Sequence, residues 1–154
     1  MATLSMPVRL NIGELCTTAL LTAADNLAIA SDTDSFLGAL EENHRLWRTL
    51  VEVARHLPLD APASDRADFV ISVSCKCGQG VCDEHVEALI GINRQMAAQL
   101  AKGGDSCRIR RRAELAWRET GLALTVSFAR WLLEEILRKS RHQDSLPAPV
   151  AAAG

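Results

Sequence analysis

Apolar and polar residues recur along most of this chain with a period near 3.6, the spacing of amphipathic helices. The pattern is clearest in SFLGALEENHRLWRTLVEVARHL, residues 35–57, the stretch around which the rest is expected to be organised. Phe36, Leu40, Trp47, Leu50, Val51, Ala54 and Leu57 fall on one face, with Leu46 and Val53 flanking it. Glu41, Arg45, Arg48, Glu52 and Arg55 lie opposite. So wide an apolar face suits a helix packed into a core, not a narrow coiled-coil seam. Glu41 with Arg45, and Arg48 with Glu52, have the i, i+4 spacing of surface ion pairs. Asp34 or Ser35 would cap this helix.

Five further elements follow from the same pattern. Asn11 would cap a first helix running to about Ala30, with Glu14 completing a capping box. Ile12, Cys16, Ala19, Leu20, Ala23 and Leu27 share its apolar face; residues 1–10 read as a loose arm and 31–34 as a turn. The loop LPLDAPASD, 57–65, holds two prolines that cannot continue a helix. Ser64 would cap the run that follows. Val70, Ile71 and Val73 are β-formers, yet the cap and the flanking helices favour a buried helix there. Gly78 and Gly80 interrupt the chain before a strong helix, 83–102, closed by Gly103 and Gly104. Asp105 or Ser106 starts another, stopped at Gly121, and Thr125 caps a last one over 126–140. Residues 141–154 lack the periodicity to pack and read as a disordered tail. The expected fold is all-α: a bundle of about four core helices within 11–103, with two C-terminal helices as an extension over 105–140. Deleting residues 105–154 is expected to leave a folded core.

Two residues break the pattern. Asn43 sits in the middle of the central helix's apolar face, and Asn93 in the middle of the face made by His85, Val86, Leu89, Ile90, Ile92, Met96, Ala97 and Leu100. A buried amide without a partner costs about 1–3 kcal/mol. The two asparagines therefore either bond each other or a loop carbonyl inside the core, or line a groove that receives a partner.

Composition narrows the function classes. Aromatics make up 4% of the 154 residues, and there is no tyrosine. The net charge of −2 argues against a strongly basic nucleic-acid binder. No segment approaches the roughly 20 apolar residues of a membrane span, and the first 16 residues have no signal-peptide form. A cytoplasmic protein is expected, with its five cysteines as thiols or ligands. No phosphate loop, no metalloprotease motif and no nucleophile with an evident base is present, so catalysis is not expected.

The sharpest chemical pattern is Cys75, Cys77, Cys82 and His85, three thiols and an imidazole around a glycine-containing turn. Such a set could form a tetrahedral zinc site, with Cys107 as a substitute ligand, or a redox sensor. Its spacing matches no standard zinc motif, and Cys82 and His85 lie on an apolar face where thiols pack as small hydrophobes. The densest basic run, Arg108 to Arg112, reads either as a contact for RNA or an acidic segment, or as a solvated helix face diluted by Glu114 and Glu119.

Several segments together resemble the FlaF family of flagellar-biosynthesis regulators. Asn43-x-Arg45-Leu46-Trp47 resembles the family's N-R-x-L-W helix, and Leu89-Ile-Gly-Ile92-Asn93-Arg94 its L-I-x-I-N-R segment. FVISVS, 69–74, is similar to the run that opens the family's middle helix, and TTALLTAADN to its first helix. The resemblance spans about residues 15–102, in the family's order. Departures are the CKCGQGVC stretch in place of a longer middle helix, His44 in place of a common arginine, and everything from Asp105 onward. The resemblance implies a non-enzymatic, all-helical protein that promotes flagellin synthesis and export by binding flagellin, alongside an FlbT-like regulator. It carries over Asn43, Arg45, Asn93 and Arg94 as partner-binding residues and requires no cofactor. Trp47 is expected in the core. The alternative is a helical metal- or redox-responsive regulator built on Cys75, Cys77, Cys82 and His85.

Overall fold

The computed structural model describes residues 11–60, 62, 64–74 and 80–145. Among them the chain is all-α: α1 (Ile12–Ile29), α2 (Thr33–His56), α3 (Ser64–Ser74), α4 (Asp83–Leu100), α5 (Ser106–Arg118) and α6 (Val126–Ser145). The β-formers Val70, Ile71 and Val73 are helical, and Ser64, expected as the cap, is the first residue of the helix itself.

The centre of the fold is α1, not α2. It lies against α2, α4, α5 and α6, and ten of its 18 residues are buried, on all sides. The physical reason stands in its composition: Glu14 and Asp25, near its two ends, are its only ionisable side chains besides the Cys16 thiol. A helix apolar all round is an interior helix. Its threonines solve their own burial. Thr17, Thr18 and Thr22 each donate to the carbonyl four residues back, at 2.8–2.9 Å, and Thr17 also reaches the Ala97 carbonyl of α4 at 3.4 Å. Small side chains at Ala19, Ala23 and Ala24 let neighbouring helices come close.

The buried stripe of α2 is Ala39, Leu40, Asn43, Leu46, Trp47, Leu50 and Val53. Leu46 and Val53, which the helical plot places at the margin, are fully buried, while Phe36, Val51, Ala54 and Leu57 are only half-buried. The helix begins earlier than its first expected cap: Asp32 is the N-cap, accepting from Ser35 N at 2.7 Å, and Ser35 returns the bond. This pair holds the Asp32 carboxyl below its usual range. Glu41 and Arg45 pair at 2.6 Å as expected. Glu52 instead bonds Arg55 at 2.9 Å and Arg141 of α6 at 2.8 Å, so the expected Arg48 pairing is replaced by one that ties two helices.

The C-terminal helices are part of the same core. Ala113 and Trp117 of α5, with Val126, Ala129, Leu132 and Leu133 of α6, belong to one buried cluster with α1, α2 and α4. Residues 105–140, expected as an extension, thus share one core with α1, α2 and α4. The helix α6 also runs to Ser145, five residues into the segment expected as a tail; the rest of that segment, 146–154, and the arm 1–10 lie outside the described residues. No helix among the described residues is long and apolar enough to cross a membrane.

Candidate binding groove over a buried amide network

The two misplaced asparagines meet. Asn93 donates from Nδ2 to Asn43 Oδ1 at 2.7 Å, and its own Oδ1 accepts the indole N–H of Trp47 at 2.8 Å. The remaining proton of Asn93 Nδ2 points to the Leu20 carbonyl of α1, 3.4 Å away. Asn43 in turn donates from Nδ2 to Ser74 Oγ of α3 at 3.5 Å. Asn43, Trp47 and Asn93 are completely buried. Four helices thus share one polar network at their crossing, and a fully satisfied network of this kind fixes register.

Ser74, though buried, also lines a groove of about 580 Å³ beside the first half of α2. Leu37, half-buried, gives the groove its apolar surface above the buried Leu40; Asp34, Glu41 and Arg45 give it charge. Gly38 keeps it open, since a Cβ there would meet nothing within 4 Å. His44 lines it too, and the buried Nδ1 of His44 has no hydrogen-bond partner among the described residues. Leu37, Gly38 and His44 were not singled out as site residues by the sequence. Their signal was Leu37 itself, an apolar residue off the main stripe but three positions from Leu40.

Of the residues carried over by resemblance, Arg45 is exposed at this groove. Arg94 is exposed on α4, 3.8 Å from Asp25 of α1. Asn43 and Asn93 lie beneath the surface, completely buried.

The cysteine cluster is divided. Cys75 and Cys77 lie outside the described residues. Cys82 is the exposed N-cap of α4, not part of an apolar face, and its backbone N–H donates to His85 Nδ1 at 3.3 Å. The His85 ring meets Phe69 edge-on at 6.5 Å between centroids. No group of three metal-ligating residues comes together among the described residues, and Cys107 is exposed on α5. Cys16 is buried in α1, and burial pushes its thiol up to about 12, which leaves it inert as a nucleophile.

The basic run is largely spoken for within the molecule. Arg110 pairs with Asp25 and, at 2.8 Å, with Glu114; Arg112 pairs with Glu14. Arg108 and Arg111 are exposed. The run is thus first a means of docking α5 on α1. Set against protein-family models, curated proteins and solved structures, the chain matches none of them.

Proposed function

We propose that this protein is a flagellar-biosynthesis regulator of the FlaF type, which promotes flagellin synthesis and export by binding flagellin as a chaperone does. The observation that supports this reading is the bond between Asn43 and Asn93. Two of the segments that carry the resemblance, Asn43-x-Arg45-Leu46-Trp47 and Ile92-Asn93-Arg94, hold one another through their distinctive residues. Residues so coupled explain why those motifs would occur together.

The groove beside α2 is the proposed client site. It offers Leu37 to the apolar face of a helical segment, and Arg45 and Glu41 to its polar margin, the arrangement of helix-in-groove recognition. Action is proposed in the cytoplasm, before export, with an FlbT-like regulator as a further partner.

Co-purification from the native flagellated cell tests the reading. Tagged wild-type protein is expected to bring down flagellin, and Arg45→Glu and Leu37→Asp variants of equal thermal stability to bring down much less. Wild-type protein that retains no flagellin from cells making it overturns the proposal.

A further inference from the structure

The helix α5 is held differently from the rest of the bundle. Six of its 13 residues are charged, and its buried residues are Ala113, Ala116 and Trp117 alone. Its helical neighbour is α1. Trp117 anchors the C-terminal end, edge-on to Phe128 of α6 at 5.1 Å between ring centroids. The N-terminal half has no such anchor. What holds it is a pair of ion bridges, Arg110 to Asp25 and Arg112 to Glu14, both on α1. Glu14 and Asp25 stand eleven residues apart, about three turns, so they share one face with Thr18 and Leu21. A left-handed turn lies just ahead of α5: Lys102 and Gly103 have φ of 50° and 84°. Gly121, at φ 79°, turns the chain after it.

Each bridge has one exposed partner, Asp25 in one and Arg112 in the other, and such bridges are weak and screened by salt, whereas buried apolar contacts are not. The first half of α5, in which none of residues 106–112 is fully buried, is therefore easily lifted. We infer that α5 is a displaceable strap: pivoting on Trp117, it uncovers the Glu14–Thr18–Leu21–Asp25 face of α1 for a partner's amphipathic helix bearing two basic side chains. The segment α5 now presents to that face, Arg110 followed by Ala113, defines the chemistry of the replacement: cations to meet the two carboxylates, and a small residue between helices. This second surface is separate from the α2 groove and stands whether or not flagellin is the client there.

Backbone hydrogen exchange on the full chain tests it, with a synthetic peptide of residues 105–116 as the probe. In the wild type, amides of 106–113 are expected to exchange at least about tenfold faster than those of α2 and α4, and faster still when NaCl is raised from about 50 to 500 mM. In Arg110→Glu/Arg112→Glu, protection of 106–113 is expected to vanish while α2 and α4 keep theirs. The peptide should then protect residues 14–25 of the variant, and a peptide with both arginines changed to glutamate should not. Exchange of 106–113 in step with α2 and α4, independent of salt, overturns the inference on the wild type alone, whether or not the variant folds. A dimer in which a second copy's α5 takes the place overturns the assignment to a foreign helix.

Discussion

Asn93 and Asn43 bond at 2.7 Å across two helices that are fifty residues apart in sequence, with no access to solvent. Each amide has a second partner, Trp47 for one and Ser74 for the other, so neither can be removed without leaving a buried polar group alone. Asn93→Leu is expected to cost about 1–3 kcal/mol for each group it strands. Asn43→Leu should cost less, because Trp47 keeps its acceptor. The double replacement should recover part of the summed loss, a coupling of about 1 kcal/mol or more. Urea melts of the four proteins in the cycle give that coupling directly.

The C-terminal helices should prove indispensable. Removing residues 105–154 uncovers the apolar faces of α1 and α2 that α5 and α6 bury, among them the contacts of Leu133 and Trp117. The truncated chain is expected to lose its cooperative thermal transition. Within the full chain, Trp117→Ala should cost about 3–5 kcal/mol, the range for emptying a buried aromatic site. Circular dichroism melts distinguish both from a dispensable extension, which would change neither midpoint nor cooperativity.

Cys16 makes the fold sensitive to alkali. Burial raises its thiol from 9.0 in the unfolded range to about 12, so the folded chain holds this proton more tightly than the unfolded one. The stability it allows is complete below about pH 9 and is lost as pH rises toward the folded value, at up to about 1.4 kcal/mol per pH unit. There is no tyrosine to titrate over the same interval. Denaturant midpoints measured from pH 8 to 11 should fall more steeply for the wild type than for Cys16→Ala.

Gly38 separates stability from binding. It lies on an exposed part of α2 with open space around its missing side chain, so Gly38→Ala is expected to stabilise the protein by about 0.5–1 kcal/mol. Gly38→Leu adds bulk beside the groove from a Cβ with open space around it, and should weaken client binding while leaving the thermal midpoint at or above that of the wild type.

Much of this architecture was legible in the chain. Six helices follow from apolar spacing and from caps such as Asn11 and Asp105, because those signals are local. The asparagine pair was legible for another reason: a polar residue on a buried stripe has to find a partner. The central place of α1 was not, since the two faces of α2 contrast strongly, whereas α1, buried on all its sides, shows little contrast along its sequence. Nor was the choice of Arg141 over Arg48 by Glu52, which depends on α6 arriving alongside α2. The groove could not be read because Ser74 reaches Leu37 and Arg45 only after α3 folds back on α2.

The most direct test is to titrate flagellin into isotopically labelled full-length protein and follow its backbone amide resonances. Shifts concentrated at residues 34–45 and Ser74, with those at Asn43 and Asn93 responding through the network, are the predicted result. Flagellin that leaves every one of these resonances in place, or that binds while shifting only residues remote from α2, contradicts the account.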